Sequence, residues 1–271
     1  MHPRRACRLL VLSLALLAAA VPAAAQDPTF EPTVGQAGKD VVWVPTPEAL
    51  VERMLDMARV TKQDFLMDLG SGDGRTVIAA AKRGLQAEGV EYNPDMVGLS
   101  RRNARAAGVS DRATFVQGDL FETDVSRADV ITMFLLPSIN LRLRPTILGL
   151  EPGTRIVSNT FTMGDWEADE TSEIETLETG DPCTSWCTAL LWIVPARVEG
   201  IWDMPGGPLT LVQQYQFVSG SLGTTRLENV TLRGDDLSFS VNGRRYSARV
   251  DGGRLSGTTT GSDGEWTAVR R

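Results

Sequence analysis

Between residues 41 and 196, short apolar runs alternate with amphipathic stretches, which predicts strands and helices in turn. Val41 to Pro45 reads as an extended segment. Thr46 is expected as an N-cap, with Pro47 at the first helical position and Leu50, Met54, Leu55 and Ala58 as the apolar stripe of the helix. Phe65-Leu66-Met67 is the first buried strand, and Thr76 to Arg83 is a helix stopped by Gly84. Gly89 to Tyr92 and Phe115 to Leu120 are the second and third strands, separated by a helix that Asn93-Pro94 opens and Gly108 closes. Ala128 to Leu135 and Thr154 to Phe161 are the fourth and fifth strands, on either side of a helix over 141–150. Ile174 to Leu177 and Ala189 to Pro195 complete the set as an antiparallel pair. The pattern predicts the α/β class: a Rossmann-like, seven-stranded and mostly parallel sheet with helices on both faces.

Near Gly200 the pattern changes. Helical periodicity stops and glycines become frequent. Leu209, Leu211, Tyr215 and Phe217 alternate along one face, with Gln213 interrupting them. Asn242-Gly243 is a two-residue hairpin turn. Closing there, it pairs Val241 with Arg244, Phe239 with Tyr246 and Leu237 with Ala248, which puts apolar groups together on one face. Asp251-Gly252-Gly253 turns the chain again. Residues 200–271 are therefore expected to form a small antiparallel meander or partial barrel, with a structural or a substrate-capturing role.

Residues 1–25 stand apart. Arg4, Arg5 and Arg8 precede an apolar run from Leu9 to Val21, and Ala23-Ala24-Ala25 offers a small-residue cleavage site. This is the pattern of a secretory signal peptide, cleaved after Ala25 in a bacterial periplasmic or secreted protein; an uncleaved anchor is the alternative. Residues 26–40 read as a flexible leader, and 41–196 as the α/β domain. No stable membrane span is expected after cleavage.

Composition narrows the chemistry. Of 27 Lys and Arg, three leave with residues 1–25, so 24 face 34 Asp and Glu, a net charge of −10. Such a balance argues against nucleic acid as the main partner, since phosphate binding rests on Lys and Arg. The one histidine, His2, lies in the signal segment. A histidine base, a Ser-His-Asp triad and a His-ligated metal site are thereby excluded from the mature chain, and no metal is expected. Cys183 and Cys187 are too far apart to bridge on a straight strand but close enough across a turn, so a disulfide and two free thiols both stay open.

The densest chemical signal is Asp68-Leu69-Gly70-Ser71-Gly72-Asp73-Gly74-Arg75, between the first strand and the helix after it. Glycines there let a ligand approach the backbone, and the helix start offers unpaired N–H groups. The dinucleotide fingerprint Gly-x-Gly-x-x-Gly does not fit, because the third glycine comes one position early and Arg75 fills its slot. Asp68 would repel a pyrophosphate yet suits an ammonium. That combination points to S-adenosylmethionine. Glu91, ending the second strand, is placed to accept from ribose hydroxyls, and Asp119, ending the third, to sit near an adenine amino group.

The Asp68-x-Gly70-x-Gly72-x-Gly74 corner with Glu91 and Asp119 resembles class I S-adenosylmethionine-dependent methyltransferases. Val44-Pro45-Thr46, the corner and Val90-Glu91-Tyr92-Asn93-Pro94 together resemble, more narrowly, the bacterial and mitochondrial protein-lysine methyltransferases of the ATP synthase c-subunit type. The resemblance covers about residues 41–195. It implies a methyltransferase sheet and a cofactor held by Thr46, Asp68, Gly70, Gly72, Gly74, Glu91, Asn93 and Asp119. Phe161 and Trp166 stand where that family has an aromatic after strand five. The substrate side is expected from Trp43, Pro137, Asn140, Phe161 and Trp166, with 136–140 as a loop and Asn140 as a polar anchor or a helix cap. No catalytic base is required, because methyl transfer needs alignment and exclusion of water. The expected acceptor is a protein side chain, lysine among the candidates, or a small molecule. The alternatives are an exported module that binds S-adenosylmethionine without turnover and, third, a dinucleotide oxidoreductase. The β-rich tail lies outside the resemblance.

Overall fold

A computed structural model describes residues 30–260 and 264–271; the expected signal peptide lies outside the described residues. The first part of the chain runs α1 (Glu48–Met57), β1 (Phe65–Leu69), α2 (Arg75–Lys82), β2 (Gln86–Glu91), α3 (Pro94–Ala106), β3 (Ala113–Gln117), β4 (Val130–Met133), α4 (Pro137–Ile147), β5 (Arg155–Asn159), β6 (Glu170–Glu173) and β7 (Thr188–Ile193). The strands form one seven-stranded sheet in the order β3-β2-β1-β4-β5-β7-β6. Strands β1 to β5 are parallel, and β7 runs antiparallel to both β5 and β6. The strand order reverses between β1 and β4. In open α/β sheets a ligand crevice forms at such a reversal, outside the carboxyl ends of the strands.

Period-two alternation assigns the faces. Leu66 of β1 packs with Leu50, Val77 and Val97 of α1, α2 and α3. Met67 and Leu69 face the other way, against Ile139, Leu143 and Ile147 of α4. Helices therefore cover both faces, as the alternation implied.

Several local expectations shift. Pro47, not Thr46, occupies the cap position of α1. Thr46 lies one residue earlier, where its hydroxyl accepts from Asn159 Nδ2 at 3.3 Å. Helix α4 starts at Pro137 rather than Leu141, because a proline at the first turn is preorganised for helix; the 136–140 segment is thus mostly helix and Asn140 is not a cap. The sixth strand is Glu170–Glu173, not Ile174–Leu177. It is a polar edge strand paired only with β7, so no apolar run marks it. Ile174 to Leu177 instead enters a turn-rich hairpin closed by the Cys183–Cys187 disulfide, which spans 6.0 Å between Cα atoms. Strand β3 ends at Gln117, short of Asp119.

The described part of the leader is structured. Gly35 N–H donates to Trp43 O and Trp43 N–H to Gln36 O, each at 2.9 Å, folding the segment back as a strap over the strand ends. Arg102 reaches Phe30 O at 3.0 Å and anchors its start on α3.

Beyond Val198 the chain builds β8 (Gly200–Met204), β9 (Gly207–Gln214), β10 (Phe217–Leu222), β11 (Thr225–Arg226), β12 (Glu228–Arg233), β13 (Asp236–Val241), β14 (Arg244–Asp251), β15 (Arg254–Thr259) and β16 (Glu265–Arg270). They form a nine-stranded antiparallel sheet, β11-β10-β9-β8-β16-β15-β14-β13-β12. The hairpin at Asn242-Gly243 pairs Val241 with Arg244, Phe239 with Tyr246 and Leu237 with Ala248, the register expected from sequence. Both turn residues have positive φ, 51° and 76°, which matches the twist of the flanking strands. The sheet curls until Leu227 N–H donates to Gly220 O at 3.0 Å. Trp202, Phe239 and Leu255 fill its core. The alternation expected over 209–217 holds for Leu209 and Leu211 only. Gln213 binds back to Val198 N, Ala196 O and Tyr215 O, and Phe217 is exposed. Tyr215 leaves the strand to stack on Trp166, joining the two sheets.

Candidate active site

The corner after β1 is set by three left-handed glycines, Gly70, Gly72 and Gly74, with φ of 78°, 53° and 84°. Gly70 and Ser71 both donate to Val90 O, at 2.9 and 3.0 Å, which clamps the corner to the end of β2. A Cβ on Gly72 would lie 2.7 Å from Trp43 Nε1, so the strap rests its indole directly on the corner. Gly74 differs. A Cβ there would meet the Phe115 ring at 2.7 Å, so this glycine serves helix-to-sheet packing and does not line the cavity, contrary to the expectation from sequence.

Glu91 ties corner to helix. Its two carboxylate oxygens accept from Gly72 N at 3.0 Å and from Asn93 N at 2.9 Å. Asn93 in turn caps α3 by accepting from Asp95 N at 2.9 Å. The corner's other side is held by Arg75, which chelates Asp73 and donates to Thr46 O at 2.9 Å.

Asp68 is the chemical focus. Its carboxylate is buried and accepts from Thr132 Oγ1 at 2.7 Å, its one hydrogen-bond donor among the described residues. Burial pushes its pKa up to about 7; the Thr132 bond opposes this, and the charges of Asp73 and Glu91 add to it. A buried carboxylate with no cationic partner is costly, and an incoming ammonium would remove the cost.

Asp119 sits past the end of β3, where it accepts from Phe121 N and from Lys39 Nζ of the strap, at 2.9 and 2.5 Å. The lysine holds its carboxyl below the usual range. Lys39 also lies 4.6 Å from the centroid of the Tyr92 ring.

Thr46, Asp68, Gly70, Gly72, Glu91, Asn93, Asp119 and Trp43 thus surround one cavity, roofed by 36–46. At Phe134 this cavity meets a second, open groove between the strap and Leu136, Phe161 and Trp186. Phe134 stacks on Phe161 with centroids 5.8 Å apart and meets Trp186 edge-on at 6.0 Å. The remaining expected substrate residues fall elsewhere. Trp166 is fully buried, donating to Gln216 Oε1 at 3.0 Å, because Tyr215 and Trp192 enclose it beneath the second sheet. Pro137 is exposed on the first turn of α4 and outside both linings. Asn140 is buried and donates to Phe161 O and Thr162 O, each at 3.2 Å, positioning the segment that carries Phe161.

Sequence reasoning missed Lys39, Thr132, Phe134 and Trp186. Thr132 had a signal: a polar residue inside the otherwise apolar run of β4. Lys39 had only its rarity, one of three lysines in the chain.

The donor set fits S-adenosylmethionine: an unpaired buried carboxylate for an ammonium, glycines where a side chain would intrude, and carboxylates at the next two strand ends. Fold and cavity define an S-adenosylmethionine-dependent methyltransferase. Comparison with known proteins agrees. The model of the ANTKMT methyltransferase domain matches residues 68–170. A protein-lysine N-methyltransferase of Saccharolobus islandicus is 44% identical over 138 residues, covering 50% of this chain and 86% of its own. The chain belongs to this family of methyltransferases. The mouse ATP synthase c-subunit lysine N-methyltransferase is 37% identical over 131 residues, 48% of this chain and only 53% of the mouse protein. A solved RNA methyltransferase from Salinibacter ruber, in complex with S-adenosyl-L-homocysteine, is 46% identical with a TM-score of 0.52, covering 57% of this chain and 96% of that one.

Proposed function

We propose that this enzyme methylates a lysine side chain of a protein acceptor. In this reading Asp68 holds the ammonium of the cofactor's amino-acid end, Glu91 accepts from its ribose and Asp119 from its adenine, while Gly70, Gly72 and Asn93 give it room and Trp43 covers it. When bound, S-adenosylmethionine supplies an electrophilic methyl group on a sulfonium.

The observation that carries the lysine reading is Phe134, which lines both the cofactor cavity and the aromatic groove beside it. A lysine entering the site must first release its proton to solvent. Burial of its amine against Phe134 and Phe161 disfavours the charged form and leaves the lone pair free. The relatives named for lysine methylation support a protein acceptor. The Salinibacter ruber structure makes RNA the competing acceptor, and the acidic balance of this chain opposes it.

The test is transfer of tritium from labelled S-adenosylmethionine to whole-cell extract, split into protease-treated and nuclease-treated halves. Label should survive nuclease, vanish with protease, and map by mass spectrometry to methylated lysine. Label that vanishes with nuclease overturns the reading.

A further inference from the structure

Resting on the lysine reading, we propose that the aromatic groove is a docking site for an extended basic peptide around the target lysine. Trp186, staged by the Cys183–Cys187 disulfide, is its specificity-determining wall.

Three observations converge on that site. The first is exposure. Val42, Leu136 and Trp186 are 56%, 41% and 42% exposed yet line one groove. Clustered exposed apolar side chains mark an interaction surface, whereas scattered ones do not. Phe134 and the strap residues 37–42 and 44 line both the groove and the cofactor cavity, so the two lie next to each other.

The second is how Trp186 is held. It has a left-handed backbone, φ 55°, uncommon for a bulky residue. It lies in the short loop that the disulfide closes, with a sequence separation of 4 between the cysteines. The surrounding hairpin is fastened by Ile174 N–H to Cys187 O at 2.9 Å and Cys183 N–H to Glu175 O at 2.8 Å. The disulfide therefore fixes both ends of the loop that places the indole edge-on to Phe134.

The third is charge. Residues 156–196 contain eight acids and no Lys, Arg or His. Some are used internally: Asp165 pairs with Arg144, Glu170 with Arg233, and Glu178 accepts from Ala49 N. Glu173, Glu175 and Asp181, on the strand and hairpin leading to Trp186, are exposed and make no ion pair among the described residues. The groove's own charged lining residues are Lys39, which is paired with Asp119, and the exposed Asp40. With the unpaired acids on the hairpin that carries Trp186, this balance complements a lysine flanked by further cations and repels an acidic segment.

The experiment uses the full chain saturated with S-adenosyl-L-homocysteine. Calorimetry measures binding of a short acetylated peptide with one lysine between arginines, against the same peptide with glutamates in place of the arginines. The arginine peptide should bind at least about tenfold tighter, the equivalent of roughly 1.4 kcal/mol. Trp186→Ala should weaken it by about tenfold, as loss of an aromatic contact does, and Trp186→Phe should restore most of the affinity. Cys183→Ser/Cys187→Ser, or reduction of the wild type, should weaken it severalfold. Binding of S-adenosyl-L-homocysteine should stay unchanged throughout, which separates a wall of the groove from a fold defect.

Equal affinity for the two peptides overturns the proposal. So does an unchanged affinity in Trp186→Ala, or tighter binding of a short RNA at this groove. If the loaded wild type binds neither peptide while still labelling protein lysines in extract, the docking site falls and the lysine reading stands. Loss of that labelling as well removes both.

Discussion

The two sheets use their buried positions differently. In the nine-stranded sheet the interior is almost wholly apolar: Phe239 stacks on Tyr246 at 5.0 Å and meets Trp266 at 6.1 Å, and Ser238 is the one buried polar residue of its strands among the described residues. In the seven-stranded sheet Asp68, Thr132, Ser158 and Asn159 are buried as well, and they gather toward the carboxyl ends of β1, β4 and β5. Burying polar groups costs free energy, so a fold concentrates them where chemistry needs them. One sheet is organised around a site and the other around its own packing. Substitutions in the two should therefore fail in different ways.

The largest expected effect is on the packing side. Phe239→Ala empties the middle of an aromatic cluster and should lower stability by about 3–5 kcal/mol, read from the midpoint of urea unfolding. Cofactor affinity of the folded fraction should not change. A parallel loss of affinity would show that the second sheet supports the cavity and would break the contrast.

This contrast also explains what the sequence made legible. Local chemistry was readable because it is written in neighbouring residues. Asn242-Gly243 fixes a hairpin register by backbone conformation alone, and the glycines between Asp68 and Arg75 announce a ligand corner. Other features depend on partners distant in the chain. Lys39 meets Asp119 from 80 residues away, and Trp166 is enclosed by Tyr215, which read from sequence as one more alternating strand residue. Trp166 next to strand five looks like a pocket aromatic until the second sheet arrives to bury it. Gly74 reads as a third cradle glycine, yet Phe115 claims its space. Strand β6 had no apolar signal to read, being an edge.

On the site side, Asp68→Asn keeps the shape and the Thr132 contact but removes the charge. Affinity for S-adenosyl-L-homocysteine should fall by about 10- to 100-fold, the loss of one charge-assisted hydrogen bond of about 1.5–3 kcal/mol. Stability of the unliganded protein at pH 8 should rise, because a desolvated charge has gone. Binding lost together with stability gained is a signature that no packing residue of the nine-stranded sheet can give. Unchanged binding would remove Asp68 from the site.

The pH dependence sharpens the same point at a smaller scale. Burial raises Asp68 to about 7, so the free enzyme holds its proton below that pH and must release it to accept an ammonium. Affinity should weaken as pH falls below 7, approaching about tenfold per unit, and Asp68→Asn should flatten the profile. For stability the sign is opposite. A carboxyl raised above its unfolded value stabilises the unliganded fold at acid pH, and this contribution is lost between the ordinary value of 3.8 and about 7 as pH rises. An affinity that does not change between pH 6 and 8 would mean that Asp68 does not meet the ammonium.

The smallest effect expected is at the strap. Lys39 reaches Asp119 across the cavity mouth, but both ends of the pair are partly exposed, so water and salt screen the attraction. Lys39→Ala should therefore weaken cofactor binding by no more than about fivefold, mainly through faster dissociation, since the roof loses one fastening while Trp43 stays on Gly72. Salt should mimic the substitution in the wild type and do little in the variant, because screening removes the same interaction. Stopped-flow dissociation at low and high salt measures both. A loss of a hundredfold would mean that the strap organises the cavity rather than merely covering it, and the line between site and packing would then run through the leader instead of between the two sheets.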